Sequence, residues 1–456
     1  DVDVDGTLET DNLTVGGAQG TDGQVLTSTG SGVAWEAASG GATDINGLSD
    51  AKTFGTSSLM LGDATTGTID GANYNVGLGV DVFAALTSGD NNIAIGFAAL
   101  SSATTGHANV ALGYQAGDAI TTGYGNILLG HTTGTSITEG NSNVAMGHEA
   151  LTSLTTGSSN TIIGALAGDA ITSASSNSGV GASCLGALTT GYNNHAQGAS
   201  AMLSTTTGVE NTAMGHQALY SNVGGNDNVA IGNNALYTNT ASGNTAVGDQ
   251  ALFSNTSGNN NVAVGDNALY TNTTGYINTA VGTNALGSNA VGLGCTAVGD
   301  NALAACTNSY NTAVGRNALA SNTSAASNSA FGTNCLSSNT TGTSACAFGM
   351  EALASNTTGA NNTAVGQNAL GSNTTGSFST AVGTNALTAQ TGAGAENTAV
   401  GHNSQNSTTT GAGNSSFGEG SGKDITTGSQ NVMIGADAGR AASPSGSITT
   451  ESNRLC

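Results

Sequence analysis

A chain of 456 residues has room for roughly two or three ordinary domains, yet this one is only 4% aromatic and 7% charged, with 71 glycines and one proline. Eight Phe, nine Tyr and one Trp are too few large apolar side chains for a single thick core, so a thin, elongated core is expected. The 28 Asp and Glu against five Lys and Arg, a net charge of −23, exclude the basic patches that nucleic acid or an anionic membrane surface would need. No apolar run approaches the ~18 residues of a membrane-spanning helix, so no membrane insertion is expected.

Residues 1–50 follow no regular repeat and read as an N-terminal attachment or cap module, whose opening Asp1 to Gly6 does not resemble a signal peptide. From residue 51 to 440 the chain keeps time. Glycines at 62, 79, 96, 113, 130, 147, 164, 181, 198, 215, 232, 248, 265, 282, 299, 315, 332, 349, 366, 383, 401, 418 and 435 form a series of 23, with two intervals of 16, one of 18 and all others of 17. An apolar residue precedes this clock glycine in 22 cases, Gln197 being the exception, and Asn stands four residues before it in 19. Leu stands four after it in 14 cases, and where Gly117, Gly134, Gly168 or Gly422 takes that place, Ile120, Ile137, Ile171 or Ile425 follows three residues later. Such compensation is expected if both positions fill one interior stripe. Residues 441–456 leave the beat and are expected to lead toward a tip or chaperone domain.

Short runs such as Val262-Ala263-Val264 are strand-like, whereas Asn-Thr-Thr-Gly is turn chemistry. The fold predicted is therefore all-β: a parallel β-solenoid of about 17 residues per coil and ~23 coils, stacked at the strand spacing into a rod on the order of 110 Å. The bends fall at the clock glycines, among them Gly96, Gly113, Gly130, Gly147, Gly164, Gly232, Gly265, Gly282 and Gly366. A buried hydrogen-bonded ladder is expected through Asn92, Asn109, Asn126, Asn143, Asn261, Asn278 and Asn362. Val264 and Val365, just before a clock glycine, are expected to face a dry interior, with Ala263 and its equivalents on the opposite face. A sustained small apolar row on that outer face would suit contact between chains in a parallel homotrimer.

Nothing in the chain carries the marks of a catalytic site. No Ser, His and Asp set stands in a distinctive context, and the glycines follow no phosphate-binding pattern, so neither an enzyme nor a cofactor is expected. Cys184, Cys295, Cys306, Cys335, Cys346 and Cys456 lack zinc-site spacing. They read as small buried residues with free thiols, although the shared separation of 11 in Cys295/Cys306 and Cys335/Cys346 leaves a cross-coil disulfide open. His131, His148, His216 and His402 directly follow a clock glycine, as do Asp249, Asp266 and Asp300. One residue type repeated at a surface turn reads as a solvated face rather than a metal site.

The unit Asn-Thr-Ala-Val-Gly-x-Asn-Ala-Leu-x-Ser-Asn-Thr, clearest at 311–324 and 362–376, resembles repeats in tail-fibre proteins of marine and cyanobacterial phages. So do the opening Asp1 to Glu9 and the stretch Gly20 to Ser28 running on to Val33 to Glu36. The resemblance implies a homotrimeric extracellular fibre of the virion, joined to other virion proteins through its N-terminal region and to a host receptor through a C-terminal tip. The heads of bacterial trimeric autotransporter adhesins are similar in their apolar-Ala-apolar-Gly core, which implies a surface adhesin as the alternative. An ice-binding solenoid is the third reading, and it requires the Thr-Thr pairs to lie in flat strands rather than turns.

Overall fold

The computed structural model describes residues 71–392, 395–440 and 449–455, together with segments at 14–15, 18–19, 24–28, 33–37, 51–54 and 57–62. The strand-like opening expected at Asp1 to Glu9, most of segment 441–456, and Cys456 lie outside the described residues. Near the N-terminus, β1 (Thr14–Val15) pairs antiparallel with β2 (Ala18–Gln19), and β3 (Gln24–Ser28) with β4 (Val33–Ala37).

The rod itself opens with β5 (Ala51–Phe54), antiparallel to β6 (Ser58–Leu61). From β6 every pairing is parallel: β7 (Val76–Leu78) follows, and one strand per coil continues to β28 (Val432–Ile434). The ladder is thus a parallel β-solenoid of 22 turns, about 17 residues each, with strands of three residues. Register is kept through the irregular coils: Val229 pairs with Thr245 and Thr296 with Thr312 across 16-residue steps, and Thr380 with Thr398 across an 18-residue step. Length changes are absorbed in the polar turn, where no strand hydrogen bond depends on them.

Backbone geometry explains the clock. The bend glycines just named hold φ between 129° and 146°, a region hostile to L side chains. Successive bends also stack backbone on backbone, so a Cβ on Gly265 would lie 2.5 Å from the carbonyl oxygen of Gly282. The residue two after the glycine is left-handed as well, as at Asn267 (φ 55°) and Asn301 (φ 54°), and Asn tolerates that conformation. So is the residue four after it, Leu269 at φ 53°.

That left-handed site accounts for the compensating glycines. Gly117 and Gly134 are left-handed at φ 61° and 63°, and they flank Leu128, a large residue where most coils place Ala in mid-strand. A Cβ on Gly117 would meet Leu128 at 2.7 Å and Ile120 at 3.1 Å. Leu128, Ile120 and Ile137 are fully buried, so volume lost at one interior position is restored at its neighbours.

The facing of the strand corrects the expectation for the Val and Ala rows. Ala263 is completely buried, while Val262 and Val264 on either side are 37% and 36% exposed, and Val365 is 38% exposed. The alanine row is the interior wall, and the residue before each clock glycine points outward. Alternation fixes two faces but not which of them is inner when both are apolar. The closed coil leaves space for Ala in mid-strand because Leu269 and Ala268 approach from the opposite side.

Ala263→Leu should therefore overpack the coil and lower stability by about 1–3 kcal/mol. Gly265→Ala should destabilise through both backbone clash and φ. Thermal unfolding followed by circular dichroism checks both, and unchanged melting of Ala263→Leu would contradict an inward alanine row.

Candidate functional site: ladders and outward rows

The buried polar row begins at the residue four before each clock glycine. Asn92 donates from both its backbone N and Nδ2 to Oδ1 of Asn75, at 2.9 and 3.1 Å, and Nδ2 also donates to the carbonyl of Gly106 at 2.9 Å. Asn109, Asn126 and Asn143 repeat the pattern, each on the asparagine one coil before. Asn261 donates to Asn244 Oδ1 and Gly275 O, and Asn278 N donates to Asn261 Oδ1. Asn362 Nδ2 reaches Gly376 O at 2.7 Å. Where the asparagine is replaced, the backbone carries the link: Cys295 N, Ala345 N and Ser379 N each donate to the preceding Asn Oδ1 at 2.9 Å.

A second buried row, seven after the clock glycine, holds the compensating Ile120, Ile137, Ile171 and Ile425 read from the sequence, but its continuation through the other coils was not recognised there. It is apolar through Leu86, Ile120, Ile137, Leu154, Ile171 and Leu188, then changes at Asn222 to a run of Asn that includes Asn239, Asn255, Asn272, Asn339 and Asn373. Asn255 Nδ2 donates to Asn239 Oδ1 at 2.6 Å and Asn272 Nδ2 to Asn255 Oδ1 at 2.7 Å. Because its occupants share no single residue type, only the common phase relative to glycine could have revealed it.

The Thr-Thr pairs lie in the turn. Thr104 N, Thr105 N and Gly106 N converge on the carbonyl of Thr121 at 3.0–3.3 Å, and Thr104 Oγ1 donates to the same oxygen at 3.0 Å. Their first hydroxyls are committed to coil stacking. A different threonine row, Thr279, Thr296, Thr312, Thr363, Thr380 and Thr398, stands half-buried on the outer face of the flat strands, beside the outward valines.

Outward rows also carry stacked rings. Phe97, Tyr114, His131 and His148, directly after successive clock glycines, stack at centroid distances of 5.3, 5.0 and 5.2 Å. Tyr220, Tyr237, Phe253 and Tyr270 stack at 5.0–5.3 Å on another edge. His216, whose Nδ1 lies 3.3 Å from Asn233 Oδ1, and His402, beside Glu419 at 3.5 Å, are isolated from that stack. Asp249, Asp266 and Asp300 are exposed. Among the described residues no group of three or more His, Cys, Asp or Glu converges as a metal site, and no helix is long and apolar enough to cross a membrane.

Cys184, Cys295, Cys306 and Cys335 are buried, Cys346 is half-buried, and all five are free. Burial pushes the thiols of Cys184 and Cys335 up to about 12. Cys306 is instead held below the usual thiol range, chiefly by the hydrogen bond it receives from Cys295, whose own ionisation is correspondingly suppressed. Asp118 has one carboxylate oxygen buried without a partner, and burial raises its pKa.

No family model matches the chain, and no curated protein matches it.

Two outcomes follow from the buried polar groups. Asn261→Ala strips Asn278 N of its partner and leaves Gly275 O with Asn272 Nδ2 as its remaining side-chain donor, and it should cost about 1–3 kcal/mol in chemical unfolding. For Asp118 the folded pKa lies above the unfolded one, so its contribution is present at low pH and lost as pH rises through the folded value. Asp118→Asn should thus lose less stability than the parent chain between about pH 4 and about pH 7, and equal pH profiles would show that the carboxyl is solvated.

Proposed function

We propose that the chain is the shaft of an extracellular attachment fibre of the phage tail-fibre kind, whose working property is length and stiffness rather than catalysis. The observation that carries this reading is the unbroken parallel ladder from β6 to β28, held in register through every irregular coil. At the ordinary strand spacing, 22 steps make a rod of about 105 Å. The acidic, aromatic-poor composition suits an outer surface that stays soluble on the faces not covered by another copy. A bacterial surface adhesin would use the same shaft.

Self-association is part of the proposal. The row before the clock glycine is apolar in 22 of 23 coils and faces outward, with Leu78 48%, Ile231 37%, Val281 37%, Val298 37% and Phe348 42% exposed. Along such a rod a stripe one strand wide covers roughly 1,000 Å², against about 800 Å² per partner in a standard protein interface. Parallel copies around one axis would cover it symmetrically, and three is the number that the fibre resemblance implies. Other virion proteins and a host receptor are the remaining partner classes of this reading.

A second, ice-binding reading loses its Thr-Thr pairs to the turn. It rests instead on the flat outer face, where a different threonine row, Thr279 and Thr296 among it, runs beside the valine row at strand spacing. A chain that leaves that face free could order water on it, as an ice-binding solenoid would.

Sedimentation equilibrium should give three times the chain mass, and a Val264→Lys/Val281→Lys/Val298→Lys variant should fall to one chain with its circular dichroism spectrum kept. A parent chain that sediments as a monomer or dimer would defeat the trimer. A monomer that also inhibits ice recrystallisation would favour the second reading.

A further inference from the structure

The residues four before and seven after a clock glycine meet inside the coil. In the coil of Gly383 these positions hold Ser379 and Gln390, and Gln390 Nε2 donates to Ser379 Oγ at 3.1 Å. In the coil of Gly299 the same two positions hold Cys295 and Cys306, both completely buried. Both sulfurs reach one acceptor, the carbonyl oxygen of Asn308, each at 3.2 Å.

This coil also interrupts the second polar row. Asparagine links to asparagine from Asn239 to Asn272, and again from Asn322 to Asn373. Between these runs Asn289 folds onto Gly292, and Asn272 Oδ1 is left buried without a partner. The other pair with the same sequence separation has a different phase: Cys335 is interior, its Sγ 3.3 Å from Ala347 O, while Cys346 occupies the outward strand row.

We propose that Cys295 and Cys306 form a disulfide in an oxidising medium, a covalent staple across one coil at the gap in the asparagine row. Two thiols lose two protons and two electrons to make one S–S bond, and an external disulfide such as oxidised glutathione takes the electrons and becomes two thiols. Cys306 attacks first, as its thiolate accepts from Asn311 Nδ2 at 3.6 Å and Asn322 Nδ2 at 3.7 Å. One glutathione thiolate leaves, and Cys306 becomes a mixed disulfide. Cys295 then gives up its proton and attacks the Cys306 sulfur, expelling the second glutathione. The staple depends on coil geometry and not on what the rod does for its owner.

The test equilibrates the full chain in glutathione redox buffer, warmed to the onset of unfolding so that access does not limit exchange. Alkylation and chymotryptic mapping follow, since cleavage after Leu303 separates the two cysteines. The expected result is a Cys295–Cys306 cross-linked peptide with Cys184 and Cys335 alkylated, and a melting temperature several degrees higher oxidised than reduced. Cys306→Ser should abolish the redox shift. A Cys295→Ala/Cys306→Ala variant should melt within a few degrees of the reduced parent, whichever buffer is used. Recovery of both residues as free thiols after equilibration, or pairing of either with another cysteine, would overturn the proposal.

Discussion

Backbone donors and acceptors in each coil point along the rod axis, and the coil beyond must meet them on every side at once. Val262 N donates to Asn278 O at 2.8 Å, Leu269 N to Ala285 O at 3.0 Å and Thr273 N to Ala290 O at 2.8 Å, while Gly265 N turns back to Val247 O at 2.7 Å. A coil with the wrong path would leave buried amides unpaired on several sides together, and each such loss is costly. This demand sets the constant coil length and confines insertions to the polar turn. It also explains why the bend admits only glycine: equivalent bends stack so closely that no Cβ fits between them.

The interior is too thin to be held by apolar burial alone. Its walls are Ala in mid-strand and an Ala-Leu pair opposite, and asparagine occupies what remains. Buried amides would be a liability singly, but stacked in register each finds donors and acceptors on the next coil and in the adjoining backbone. The second row changes from Leu and Ile to Asn near Asn222, so the two halves of the rod reach the same cross-section by different chemistry. Among the described residues no charged side chain is fully buried, although Asp118 is partly so, and the outward valine row is the main apolar surface.

Several of these features were legible in the residues. Gly62 to Gly435 announce the coil length, Asn75 to Asn431 announce a row that must be satisfied, and the exchange of Leu for Gly with Ile three residues later shows that both positions share a space. The Asn row was readable because one residue type does that work in nearly every coil. Beyond the compensating isoleucines, the row that also holds Leu86, Cys306 and Asn339 was not, because its occupants share only a place in the coil.

The sequence alone therefore determined the period, the strand and bend positions and the all-β solenoid, since backbone stacking imposes those on every coil equally. Tertiary structure decided which way the strands face: Val262, Ala263 and Val264 are apolar throughout, so only the closure of the coil, with Leu269 arriving from the far side, turns Ala263 inward. It likewise decided that Cys295 meets Cys306 while Cys335 and Cys346 stand on opposite sides of a strand. A separation of 11 residues is the same in both pairs, and only its phase against the bend glycine places the side chains together or apart.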